Sequence, residues 1–186
     1  MRVVPYTPEH ADEMRAIHLA TASERARTDP VHAQFSLLMY CEPYLEHGVA
    51  YMLVDDEGVA RGYVLAAEDW EEWQQVFAPY AERIAALSPE YAQRLADELD
   101  EFAVAAANGY PAHLHIDIME AYTGGGSGRM LMEALLERLR ADGVEGIAFG
   151  AAPGNTRAAG FYRHMGFQQL AEPGPDGGGY AFAMKL

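Results

Sequence analysis

The sequence predicts an α/β fold in one domain, a central mixed and twisted sheet of about seven strands flanked by helices. Three observations predict it. Short β-patterned runs recur along the chain, with helical segments between most of them. A glycine-rich turn at 122–129, Tyr-Thr-Gly-Gly-Gly-Ser-Gly-Arg, feeds an amphipathic helix. A long stretch at 68–109, helical by pattern, precedes the central strand. With 186 residues the chain supports one sizeable core and not two, so 1–186 reads as a single unit.

The elements follow in order. Val3 and Val4 sit in a first strand, and Thr7-Pro8-Glu9 opens the first helix with an N-cap and a proline at N1. Residues 23–47 form a second, less regular helical stretch. Strands at 51–54 and 59–66 flank Asp55-Asp-Glu-Gly58, a hairpin turn. In 68–109, Trp70, Trp73, Phe77 and Tyr80 form one stripe, and Ser88-Pro89-Glu90 marks a fresh helix start. The central strand is 112–119. Met130, Leu131, Ala134, Leu135 and Leu139 give the next helix its buried face, and Gly143 ends it. A strand at 147–151, a helix capped by Asn155, and strands at 167–171 and 180–185 close the sheet, with 173–179 as a loop between the last two.

Bulk properties exclude several functions. The formal net charge of −15 argues against non-specific nucleic-acid binding. No apolar run reaches membrane-spanning length and the N-terminus lacks a signal-like apolar stretch, so a cytoplasmic, membrane-free protein is expected. Cys41 is the only cysteine, which excludes an internal disulfide and argues against a covalent acyl-enzyme. Charge is uneven: between 129 and 164 five arginines face four acids, +1 locally, which leaves −16 for the rest of the chain. That suits an anionic ligand on this segment and a neutral or cationic partner elsewhere.

The glycine turn reads as a phosphate cradle, because residues without β-carbons let successive N–H groups converge on an anion at a helix start. A nucleoside-triphosphate loop would end in Gly-Lys-Ser/Thr, but Gly128 is followed by Arg129 and Met130. A dinucleotide fingerprint would space its glycines differently from Gly124, Gly126 and Gly128.

Two motifs resemble the GCN5-related N-acetyltransferase (GNAT) superfamily. Its Gln/Arg-x-x-Gly-x-Gly/Ala loop lies on Thr123, Gly124, Gly125, Gly126, Ser127 and Gly128, with Thr123 in place of the long polar residue. Its second motif, Asn-x-x-Ala-x-x-Phe-Tyr-x-x-x-Gly-Phe, is complete in Asn155, Ala158, Phe161, Tyr162, Gly166 and Phe167. A narrower resemblance, carried by His113-Leu-His-Ile-Asp-Ile118, the helical stretch before it and the Asn155 motif, points to the acetyltransferase-like C-terminal domain of eukaryotic O-GlcNAc hydrolases and its free-standing bacterial relatives. The resemblance implies the GNAT fold, with 68–109 as an insertion relative to a minimal member. It also implies acetyl-CoA as co-substrate, with direct transfer to a primary amine on a small molecule or a protein. Some members of the narrower branch keep the acetyl-CoA site and others have lost it, so a silent acetyl-CoA- or peptide-binding module is the alternative.

The resemblance assigns acetyl-CoA binding to Ile118, Met119, Glu120, residues 123–128, Arg129, Asn155, Ala158, Phe161 and Tyr162. In such proteins two central strands splay, and the freed backbone groups, here those of Ile118, Met119 and Glu120, pair with the pantetheine arm. The Ile118 N–H would hold the oxyanion, and Tyr162 takes the general-acid position. Strand alternation puts His113, His115 and Asp117 on one face. Three ionisable groups on a central strand imply an acceptor groove with Asp117 as base, against the competing reading that histidine and aspartate satisfy one another. Glu120 is the second candidate base. His113, His115 and Asp117 could also be read as metal ligands, but a histidine pair is weak evidence and no metal is expected.

Overall fold

The structure is a computed structural model described over residues 1–172 and 179–186. The described residues form seven strands: β1 (Arg2–Pro5), β2 (Val49–Val54), β3 (Ala60–Ala67), β4 (His113–Ile118), β5 (Gly146–Ala151), β6 (Gln168–Ala171) and β7 (Tyr180–Lys185). They form two sheets rather than one. β1-β2-β3-β4 is antiparallel throughout, and β5-β7-β6 is a second antiparallel sheet. Among the described residues the sheets join through a single parallel bridge, Ala112 to Ile147. Its two bonds are Ala112 N–H to Gly146 O (3.2 Å) and Ala148 N–H to Ala112 O (2.9 Å). Beyond it β4 and β5 diverge. Most of the expected loop at 173–179 lies outside the described residues.

The stretch at 23–47 divides into α2 (Glu24–Thr28), α3 (Pro30–Tyr40) and α4 (Glu42–His47), after α1 (Ala11–Thr21). Proline accounts for both breaks: Pro30 and Pro43 each lie in the first turn of the helix they start and lack the N–H, and the room, to carry the preceding helix on. Pro30 also holds Asp29 before it in an extended conformation. Asp29 reinforces the first by accepting from the N–H groups of Val31 and His32. Thr7 precedes a short 3-10 turn, Pro8–His10, without a side-chain cap, and α1 proper begins at Ala11. Both helices of the insertion form as patterned, α5 (Trp70–Ala85) and α6 (Pro89–Ala107). Asp69 caps the first, accepting from Glu72 N–H, and Ser88 caps the second, accepting from Tyr91 N–H.

Helices cover both faces of the four-stranded sheet. On one side Trp73, Phe77 and Tyr80 of α5 pack with Met14, Phe35, Leu38, Tyr44 and the inward residues of β2 and β3. On the other side lies α7 (Ser127–Ala141). Its buried stripe runs through Leu131, Met132, Leu135, Leu136 and Leu139, while Met130 and Ala134 are only half-buried. The expected face holds at Leu131, Leu135 and Leu139 and is widened by Met132 and Leu136, because α7 packs across β1, β2, β3 and β4 and needs more apolar surface than one row. Gly143, with φ of +77°, ends this helix as expected. Last comes α8 (Thr156–His164), whose Tyr162 packs with Phe149, Phe167 and Phe182. No described helix is long and apolar enough to cross a membrane.

Candidate active site

The divergence of β4 from β5 leaves backbone groups unpaired, and register says which. Met119 N–H bonds to Arg61 O at 2.9 Å, and β4 runs antiparallel to β3 with Asp117 opposite Tyr63 and His115 opposite Leu65. Bonded and non-bonded pairs alternate in such a ladder. Asp117, His115 and His113 therefore turn their backbone groups to β3, while Leu114, Ile116 and Ile118 turn theirs to the opening. This corrects part of the expected set. Ile118 presents a free N–H, but Met119 does not, and the Glu120 carbonyl already accepts from Thr123 N–H and Thr123 Oγ1. Leu114 and Ile116 are the other open strand residues.

The glycine turn sits where the opening ends. Gly124, Gly125 and Gly126 all have positive φ (+87°, +55°, +90°), a run that only glycines adopt without strain. Among the described residues the N–H groups of Gly125, Gly126, Gly128 and Arg129 find no protein acceptor. They stand with the positive end of the 15-residue α7. A β-carbon on Gly128 would lie 3.4 Å from the Phe161 ring and 3.7 Å from Ile118 Cδ1, so the ends of β4, α7 and α8 meet here. The Arg129 guanidinium is tied back to Glu133 at 2.7 Å, which leaves its backbone N–H as its offering.

One cation at the turn escaped the sequence reading. Arg157, second residue of α8, reaches Thr123 Oγ1 with Nη1 (3.4 Å), and its Nη2 would lie 3.8 Å from a β-carbon on Gly124. It stands beside the loop position where Thr123 replaces a long polar residue. Its place in the first turn after Asn155 was the available signal. Asn155 caps α8 by accepting from Ala158 N–H at 3.1 Å through its oxygen, which leaves the amide NH2 without a protein partner among the described residues.

Tyr162 has a buried ring, whereas its hydroxyl bonds no described protein group and is not sealed from solvent. Burial, reinforced by the Asp117 carboxylate, holds this phenol above the usual tyrosine range. It therefore keeps its proton at neutral pH. Cys41 is enclosed, and burial pushes its thiol up to about 12, which removes it as a nucleophile.

The polar face of β4 divides. His113, only 3 % exposed, is enclosed by Trp70, Trp73, Phe102 and Tyr44, so it lies inside the insertion core and not on a groove. The Phe102 ring stacks on it at 4.0 Å, and its Nε2 has no partner. His115 Nε2 meets Tyr44 OH at 3.1 Å. Asp117, with a side chain 30 % exposed, stands at the open end and accepts from Tyr63 OH at 2.6 Å. Glu120 is exposed beyond it. Among the described residues no cluster of three metal-ligating side chains occurs.

Burial holds His113 well below the ordinary histidine value of 6.5, lowers His18, and brings His115 down to about 3. The unfolded chain therefore binds protons that the fold refuses, so stability is lost as pH falls from about 6.5 toward 3. Burial lowers His32 as well. Glu98, raised by burial to about 7, and Glu68, also raised by burial, act with the opposite sign, two carboxyls against four histidines. Urea unfolding should show lower stability at pH 5 than at pH 7. Equal or greater stability at pH 5 would refute the assignment of neutral buried histidines.

The acetyltransferase (GNAT) family model matches residues 11–167. The chain belongs to the GNAT family. Its fold neighbours agree. A crystal structure of a protein named SsHAT shares 27 % identity over 98 % of this chain and 96 % of that one, with a TM-score of 0.81. An agmatine N-acetyltransferase matches over the full length of both chains at 16 % identity and a TM-score of 0.66. A histone acetyltransferase-related protein from Corynebacterium glutamicum matches over 98 % of this chain and 94 % of that one, at 20 % identity and a TM-score of 0.62. These likenesses carry the mixed α/β GNAT fold, and the family carries acetyl transfer as its general chemistry.

Proposed function

We propose that the protein is an acetyl-CoA-dependent N-acetyltransferase that moves an acetyl group directly to a primary amine. The observation that carries this reading is the meeting of the open end of β4, the glycine turn and α8, the helix that carries Tyr162. The donor set fits acetyl-CoA: free N–H groups at 125–129 and the Arg157 guanidinium for the pyrophosphate, and the β4 edge with the Asn155 amide for the pantetheine arm.

In the reaction, Asp117 takes a proton from the acceptor's ammonium. The neutral nitrogen then bonds to the acetyl carbon, and the Ile118 N–H donates to the carbonyl oxygen as charge gathers there. The carbon–sulfur bond breaks as the thiolate takes the Tyr162 proton, and the product nitrogen gives up its second proton, through solvent, to restore the Tyr162 phenol. Burial keeps the phenol protonated at neutral pH. The thiolate, whose thiol sits at about 8.5, is a weaker base than the phenolate, so the transfer is completed because the far more acidic protonated nitrogen of the product returns a proton to Tyr162. The acidic character of the rest of the chain supports a cationic acceptor. The narrower kinship with the O-GlcNAc hydrolase-associated domains, supported by α5 and α6 ahead of β4, is likewise our proposal.

Calorimetric titration with acetyl-CoA, with ATP as comparator, tests the cradle, and an amine panel that includes agmatine then tests transfer. Micromolar binding of acetyl-CoA without ATP binding is expected, and folded protein free of copurified CoA that binds neither would overturn the reading. Arg157→Gln should weaken acetyl-CoA binding about tenfold and leave S-acetyl-pantetheine, which lacks the pyrophosphate, unaffected. Equal weakening of both ligands would remove Arg157 from the phosphate site.

A further inference from the structure

Three polar side chains lie in the apolar core between β3, α1 and α3. Tyr63 is 0 % exposed, His18 5 % and Ser36 7 %. They form one continuous line: Ser36 Oγ to His18 Nε2 at 2.8 Å, His18 Nδ1 to Tyr63 OH at 2.9 Å, and Tyr63 OH to Asp117 Oδ2 at 2.6 Å. From this geometry we propose that Ser36, His18 and Tyr63 are positioning residues, an oriented chain of hydrogen bonds that locks one oxygen of Asp117 and leaves the other for the acceptor's ammonium. This rests on the reading of Asp117 as the base.

Donor and acceptor capacity fixes the direction of every bond. A carboxylate has no proton to give, so Tyr63 donates to Asp117 and its oxygen is left to accept. Burial and the Asp117 charge hold the Tyr63 phenol well above its usual range, so it keeps that proton. His18 must then donate from Nδ1. Burial lowers His18, which is therefore neutral with a single ring proton, and that proton sits on Nδ1. Nε2 is left to accept from the Ser36 hydroxyl. All three protons point toward Asp117, and each bond polarises the next. Among the described residues Oδ1 of Asp117 has no partner, and the side chain is partly open.

The chain makes a prediction independent of catalysis. Ring 15N spectra of the whole protein should show His18 as the Nδ1–H tautomer at neutral pH, and an Nε2–H tautomer overturns the proposal. In acetyl transfer from acetyl-CoA to agmatine as probe amine, Tyr63→Phe should lower kcat about tenfold with acetyl-CoA affinity intact. The double variant Tyr63→Phe with Asp117→Asn should be no slower than Asp117→Asn alone, since residues acting as a unit are not additive. Additive losses overturn the proposal. Ser36→Ala, which leaves the Tyr63 ring in place, should give a smaller fall in the same constant, and no fall in either Ser36→Ala or Tyr63→Phe would also overturn it. A wild-type protein that transfers to no amine would count against the transferase reading, and the tautomer would still decide the chain.

Discussion

Tyr162→Phe is expected to lower kcat by roughly 10²- to 10⁴-fold and to leave the acetyl-CoA dissociation constant unchanged. The substitution keeps the ring, and the ring is what packs: it stands 4.7 Å from Phe149 and 5.2 Å from Phe182, centroid to centroid. Only the hydroxyl is lost, and that hydroxyl makes no bond that holds the fold. A structural tyrosine would therefore tolerate the change. A general acid would not, because the departing thiolate would have to take its proton from water. Stopped-assay kinetics beside calorimetry separate the two, and an unchanged kcat would reduce Tyr162 to a packing residue.

The second large effect is expected from Asp117→Asn, which should lower kcat/KM for the amine by at least about a hundredfold. The amide keeps the shape and one acceptor oxygen for Tyr63, so the fold is expected to survive. It cannot take a proton from an ammonium. Wild-type rates in this variant would move the base elsewhere, and Glu120→Gln is then the comparison to make, since Glu120 is exposed just beyond the end of β4.

Much of this molecule was legible before its coordinates, and the reasons are local. The glycine turn, the Asn155 cap, the Ser88 start and the helical insertion are written in short-range signals, because turns and caps depend on a few consecutive residues. The break of the single expected sheet into two could not be read that way. It depends on which strand edges meet, and Ala112 to Ile147 is a contact between residues 35 apart. The same limit explains Met119: its N–H is spent on Arg61, a partner on another strand. His113 and Asp117 share one face by alternation, yet α5 and α6 close over the first and leave the second open. The His18–Tyr63–Asp117 line joins residues that pattern alone never brings together.

Among the described residues a single bridge joins the backbones of the two sheets, while one shared apolar core packs against both, so the proposed ligand would add backbone bonds that the chain does not make itself. A pantetheine arm lying between β4 and β5 would act as mortar, supplying donors and acceptors to strand edges that the chain leaves bare beyond Ala112. Recognition and cohesion are then the same set of bonds. Saturation at a hundred times the dissociation constant adds about 2.7 kcal/mol to the folded state. Melting of the chain with and without acetyl-CoA should read that gain as a rise in Tm, with amide exchange slowed most at Leu114, Ile116 and Ile118.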